Sequence, residues 1–299
     1  MFLIHIARRF CAIFIVLLFV FDIQGQTKHA LLIGVSEYNT SLSDLSEDSW
    51  ANIHGANDVG LLSATLKKQN FKIRRLCNKE ATAKNVRKEL KKMMSNVHDG
   101  DFVYIHFSSH GQPVEDLNGD EDDGWDEAII PFDAQKHYRE GVYTGENHIV
   151  DDELNGYLRA IRTKIGRKGF VYVAIDACHA GSSYRGEEEE DSIFVRGTNK
   201  GFSASLKTYA PQIDKRGQIR VEKSPIMADI CILEACRSYQ VNSEIQEGDT
   251  YYGSLSFYIN KVLQTMPFER NLSWAERVSK LMNKDIRLVR QNLVIESSL

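Results

Sequence analysis

"VYVAIDACHAGSS", residues 171–183, is a strand-like apolar run that stops at Asp176, Ala177, Cys178, His179, Ala180 and Gly181. β-Branched and aromatic residues without polar alternation mark a strand buried on both faces, which is the habit of parallel sheets covered by helices. A cysteine carried to the end of such a strand and set among small residues is either an apolar filler or a reactive group. The rest of the chain has to decide which.

Further short runs of the same kind are His29 to Val35, Phe71 to Leu76, Asp101 to Phe107, Phe170 to Ile175 and Ile230 to Leu233. They alternate with helical patterns over Val59 to Gln69, Ala83 to Met94 and Asp152 to Ile161, and two more follow the last strand, Tyr252 to Gln264 and Trp274 to Gln291. Ser273 and Glu276 have capping-box spacing for the final helix. Strand–helix alternation predicts an α/β domain with a mostly parallel central sheet flanked by helices on both faces. Ligands of such sheets bind beyond the carboxyl ends of the strands. Residues 184–227, with "GEEEED" and little periodicity, read as a mobile linker open to processing.

Residues 1–25 pair Arg8 and Arg9 with an apolar run, Phe10 to Phe21, the layout of a signal peptide, so residues 26–299 are expected to form one exported domain, periplasmic or extracellular. The run is short for a membrane span, and no stable membrane insertion is expected after its removal. With 41 acidic against 37 basic residues and no basic stripe, a nucleic-acid surface is excluded. Cys231 and Cys236 lie in one extended run, about 16 Å apart if it is a strand, too far for a disulfide. They read as buried free thiols, and Cys77 stays open.

The run "FVYIHFSSHG" ends in His110 and Gly111. Should its strand neighbour the one that ends in Cys178, the imidazole faces the thiol across the sheet top. An imidazole there takes the thiol proton and later protonates a leaving amine. Glycine after His110 lets a backbone N–H approach a developing oxyanion, and the N–H of Cys178 supplies a second donor. Zinc held by His106, His110, Cys178 and His179 is the competing reading, although no paired-cysteine knuckle accompanies it.

"YIHFSSHG" and "AIDACHAGSS" resemble the histidine and cysteine motifs of metacaspases, caspase-like cysteine peptidases. "HALLIGVSEY", "GANDVGLLSATL", "DLNGDEDDGWDEAIIPFD", "IVDDELNGYL" and "ILEACRSYQVNSE" match other family segments in the same order. The resemblance implies a caspase-like fold and a cysteine endopeptidase. Its dyad would be Cys178 and His110, with the amides of Gly111 and Cys178 as oxyanion hole. It also implies a substrate pocket in which Asp58 and Asp176 receive Arg or Lys, with Ser108 on the wall. Asp176 precedes Cys178 by two residues, so on a strand both side chains leave one face. Asp58 has an alternative as helix N-cap. Family calcium positions match Asp126, Asp151 and Asp152, while a fourth falls on Arg185, and no organic cofactor is expected. Asp151 and Asp152 have a helix-capping alternative, and the EF-hand likeness of the acidic loop fails at Glu121, where the turn needs glycine. Expected partners are peptide or protein substrates with Arg or Lys at the cut, and a monomer is the working expectation. The rival readings are a clostripain- or gingipain-like peptidase and an inactive caspase-like binding module.

Overall fold

The computed structural model describes residues 26–42, 49–119, 121, 123–178, 194–211, 213, 218–221 and 223–299. Residues 1–25, read above as a signal peptide, lie outside these residues, as do His179 and Arg185.

Seven strands form the central sheet: β1 (Lys28–Gly34), β2 (Phe71–Cys77), β3 (Phe102–Ser108), β7 (Phe170–Asp176), β8 (Gln218–Arg220), β9 (Asp229–Glu234) and β12 (Val294–Ser297). Their order is β2-β1-β3-β7-β9-β12-β8. The five from β2 to β9 run parallel, and β12 returns antiparallel to β9. Every residue of β3 is buried, as the unbroken apolar run requires. The β2 edge is blunted by Lys72, Arg74 and Arg75.

Alternation along the strands divides the core in two. On one face Ala30, Leu32, Tyr104 and Tyr172 pack under α1 (Gly55–Lys68), α4 (Ser254–Leu263) and α5 (Ser273–Met282). On the other, Leu31, Ile33, Val103, Ile105, Val171 and Val173 pack under α2 (Ala83–Asn96) and α3 (Asp151–Ile165). Two small sheets stand at the carboxyl ends of the central strands. One joins β4 (Gly111–Glu115), β5 (Trp125–Ile129) and β6 (Ile149–Val150); the other is the hairpin of β10 (Glu244–Glu247) and β11 (Thr250–Gly253).

Four sequence expectations change. The helix expected from Tyr252 starts at Ser254, because Tyr251 and Tyr252 belong to β11 and a tight turn with Gly248 at φ +61° closes the hairpin. The last helix stops at Met282, and Asp285 caps a separate turn by accepting the N–H of Arg287. Ser273 makes no side-chain cap, since Leu272 holds the cap position. The mobile linker expected over 184–227 also contains ordered pieces: β8 joins the sheet, and 194–203 runs along the strand ends beside Cys178.

Candidate active site

β3 and β7 are hydrogen-bonded neighbours, with Ser108 directly opposite Asp176. That register carries His110 and Cys178, each two residues further on, to the same end of the sheet. Gly111 lies close to the Cys178 backbone: a Cβ there would sit 2.6 Å from the Cys178 carbonyl oxygen. The approach demands glycine for steric reasons.

His110 is buried in a triangle of rings with Tyr38 and Trp50, stacked on Trp50 with centroids 5.0 Å apart and tilted against Tyr38 at 5.1 Å. Its Nε2–H donates to the Ala51 carbonyl at 2.8 Å, and its backbone N–H donates to the Tyr38 hydroxyl at 2.7 Å. Since a carbonyl can only accept, Nε2 carries the proton and Nδ1 is left basic. Nδ1 is buried without a hydrogen-bond partner. Burial lowers the His110 pKa to about 4 against the Ala51 bond, with help from Arg196 and Lys136, so the ring is neutral at pH 7. The Cys178 thiol, fully buried, donates to the Gln240 carbonyl at 2.9 Å and lies against Cys236. Burial and the hydrogen bond with Cys178 hold Cys236 protonated, the hydrogen bond contributing most. Cys77, Cys178, Cys231 and Cys236 are all free thiols.

Below the strand ends is a charged pocket, and an arginine of the chain itself fills it. Arg196 has no exposed side-chain surface. Its guanidinium contacts Asp58 at 2.8 Å, Glu244 at 2.7 Å, the Ser108 hydroxyl at 2.5 Å and Asp176 at 3.8 Å. Asp58 is in the first turn of α1, whose N-cap is His54, so it does not cap the helix. It accepts the Ser108 hydroxyl and the Gly253 N–H. Asp176 accepts the Ser256 N–H and hydroxyl and the Asn242 amide. Glu244 is held by the His54 N–H at 2.7 Å and by its Nδ1 at 2.5 Å. His106 lies beneath, between Tyr104 and Ser256, and both ring nitrogens are taken. It has none left for zinc.

Asp58, Ser108 and Asp176 thus come together around one guanidinium. Glu244, Asn242 and Arg196 were not foreseen. Glu244 closes a matched segment and opens the polar strand EIQE, where nothing in the local pattern marks it for burial.

The segment bearing Arg196 is bound as an extended peptide. Phe194 accepts from the Glu244 N–H at 2.9 Å, and the Arg196 N–H donates to Asn242 at 3.0 Å, so the pairing is antiparallel. The Arg196 carbonyl oxygen accepts from Cys178 N–H at 2.9 Å and from Gly111 N–H at 3.2 Å. Beyond it, Phe202 pairs with Pro113 and Glu115 of β4.

The three calcium candidates are scattered by comparison. Asp151 and Asp152 sit in the first turn of α3, and Asp152 accepts from Asn118. Asp151 faces Glu127, and burial raises it to about 6. Asp126 alternates with Glu127 along β5 and so leaves the opposite face. Among the described residues no three such side chains are grouped to hold a metal.

Comparison with known proteins agrees with this architecture. A caspase domain family model matches residues 27–297, and the chain belongs to the caspase-domain family of cysteine peptidases. It is 24% identical to metacaspase-1 of Meyerozyma guilliermondii over 69% of this chain and 54% of the relative. It is 26% identical to metacaspase-1 of Eremothecium gossypii over 82% and 59%, and 24% identical to metacaspase-2 of Trypanosoma brucei brucei over 76% and 59%. The chain therefore spans little more than half the length of these relatives. A crystal structure of a Geobacter sulfurreducens protein shares the fold at a TM-score of 0.60, with 20% identity, 91% of this chain and 93% of the other covered.

Proposed function

We propose that this protein is a cysteine endopeptidase that hydrolyses peptide bonds after arginine or lysine. The observation that carries the reading is the seating of Arg196: three buried carboxylates surround its guanidinium while its carbonyl oxygen accepts from the two amides beside the thiol. Charge-assisted, forked hydrogen bonds favour arginine, and a point-charge ammonium fits less fully.

In this mechanism His110 Nδ1 takes the Cys178 proton, and the thiolate attacks the carbonyl carbon of the residue in the pocket. The oxyanion rests on the N–H groups of Gly111 and Cys178. Nδ1 returns the proton to the leaving amine, then deprotonates the water that hydrolyses the thioester. The Ala51 carbonyl orients the imidazole by fixing its Nε2–H tautomer. Calcium is proposed as an activator on narrower grounds, the unpartnered Oδ1 of Asp151; no catalytic step passes through it.

The test is kcat/KM for matched peptides ending in Arg, Lys and Asp, with and without a chelator. Wild type should favour Arg over Lys and ignore Asp. Glu244→Gln and Asp176→Asn should each lose about 10- to 100-fold toward Arg, the range expected when a hydrogen bond to a charged group is weakened. Iodoacetamide labelling of Cys178 should persist in both. A preference for Asp, or full activity in Cys178→Ala, would overturn the assignment. Activity indifferent to the chelator would remove calcium from it.

A further inference from the structure

A second thiol lies against Cys178, and the peptidase chemistry makes no use of it. Cys236 follows β9 as Cys178 follows β7. The two strands are parallel neighbours, with Ile175 opposite Glu234 and the Ala235 N–H donating to the Ile175 carbonyl at 3.0 Å. We infer that Cys178 and Cys236 are a redox pair: a hydroperoxide joins them in a disulfide, which switches hydrolysis off until a thiol reductant opens it. Loss and return of hydrolysis rest on the peptidase reading above, whereas the bond itself does not.

The geometry singles out this pair. Both sulfurs point at one oxygen, the Gln240 carbonyl, at 2.9 Å from Cys178 and 3.5 Å from Cys236. The turn that offers this carbonyl is pinned: the Gln240 N–H donates to the Arg237 carbonyl at 2.8 Å, and the Gln240 side chain bonds Asn292 through both its amide atoms. The two cysteines form a buried cluster of their own, apart from both cores of the sheet. Adjacent strands lie about 4.8 Å apart, within the Cα separation of about 4.4–6.8 Å that a disulfide spans. The other described thiols are elsewhere. Cys77 ends β2, at the far edge of the sheet, and Cys231 lies opposite Tyr172, well down the strands from Cys178.

The surroundings also set which sulfur acts first. His110 Nδ1 serves Cys178 as base, and the thiolate is the form that a hydroperoxide oxidises. Cys236 keeps its proton, held there chiefly by the hydrogen bond with Cys178 and then by burial, and so acts second.

The step balances with the hydroperoxide as oxidant. Cys178 gives its proton to His110 Nδ1, and its Sγ attacks one peroxide oxygen. The O–O bond breaks, and the departing oxygen takes the proton from Nδ1; with hydrogen peroxide it leaves as water. Cys236 Sγ then attacks the sulfenic sulfur of Cys178, and the S–O bond breaks. The hydroxyl leaves as water with the Cys236 proton. Each sulfur has lost one electron, and the peroxide has gained two. Sγ of Cys178 is then tied to its neighbour and has no lone thiolate to attack a peptide.

The probe is hydrogen peroxide, added to the purified and reduced full chain, followed by alkylation, peptide mapping and hydrolysis of Arg peptides. Wild type should lose two hydrogen atoms by intact mass and give a peptide linked through Cys178 and Cys236. Hydrolysis should fall in step with that linkage and return with dithiothreitol. Cys236→Ala should start with the kcat/KM of wild type, but peroxide should carry its Cys178 on to the sulfinic or sulfonic acid. Dithiothreitol should restore none of the activity lost to those acids. Cys77→Ala and Cys231→Ala should behave as wild type. Circular dichroism would show that the variants are folded, and the linked peptide of wild type needs no variant. A wild-type Cys178 that stays unlinked, or links to Cys77 or Cys231, overturns the inference, as does full recovery of Cys236→Ala with dithiothreitol. Hydrolysis of Arg peptides by the reduced chain would leave the peptidase reading standing in each of these cases. A linked peptide in a chain that hydrolyses no Arg peptide overturns that reading and the switch together, and leaves the bond.

Discussion

Asp58 and Asp176 touch the same guanidinium yet shift in opposite directions. Burial pushes Asp58 up to about 6 despite Arg196, with Asp176 and Glu244 adding to the rise. For Asp176 burial is outweighed by Arg196, Asn242 and Ser256, and it lies below its usual value. Without Arg196 the three acids would face one another with no counter-charge, a cost that a cationic side chain seated in its place relieves. His106, beneath them, gives a prediction of definite sign. Burial lowers its pKa to about 4, from 6.5 in an unfolded chain. Its contribution to stability is therefore complete above pH 6.5 and is lost as pH falls toward 4, where the unfolded chain binds a proton that the folded one refuses. Glutamine binds none in either state. The Tm deficit of His106→Gln should accordingly be smaller at pH 4.5 than at pH 7.5; a deficit that is equal at both would show that His106 titrates alike in both states.

At the scale of elements, the pocket depends on how tightly α1 lies on the strand ends. A Cβ on Gly55 would be 2.3 Å from the Ser108 carbonyl oxygen, and one on Gly34 2.3 Å from the Gly55 carbonyl oxygen. Both obstacles are backbone. Gly55→Ala must therefore push the first turn of α1 outward, and Asp58 travels with it away from Ser108 and Arg196. Overpacking of this kind typically costs about 1–3 kcal/mol. We expect a lower Tm and a fall in kcat/KM toward Arg peptides, with labelling of Cys178 retained because β7 is untouched. The same change at Gly60, where a Cβ meets nothing, should leave kcat/KM as it is and raise Tm slightly, since alanine suits a helix interior better than glycine. Equal behaviour of the two variants would refute this role for the α1 contact.

For the whole molecule, β7 and β9 pair over six residues from Phe170 and Asp229 onward, so a nick made by an added protease in the chain between them would be a cut inside one sheet. Both cores straddle the cut: Tyr104 and Tyr172 pack with Leu255, Ile259 and Trp274, and Val171 and Val173 pack with Ala228 and Ile230. The two fragments share one sheet and have no separate core to retreat to. They should co-elute on gel filtration without denaturant and separate only in urea, with a single unfolding transition. Fragments that part in buffer alone would show that the β7–β9 seam is too weak to hold them.

The sequence by itself, with the family resemblance of its motifs, determined the alternating elements, the parallel central sheet, the placing of His110 and Cys178 at one end of that sheet, and the gathering of Asp58, Ser108 and Asp176. These follow from local periodicity, from strand parity, and from motifs read in order along the chain. Tertiary structure alone decided that Glu244 joins the pocket from a hairpin, that Ala51 fixes the tautomer of His110, and that Arg196 occupies the site. Each of those contacts joins residues far apart in sequence. In the chain, Arg196 is one base in a polar stretch with no period to set it apart. Only a buried ring of unbalanced carboxylates, assembled from α1, β7 and β10, gives that one side chain its place.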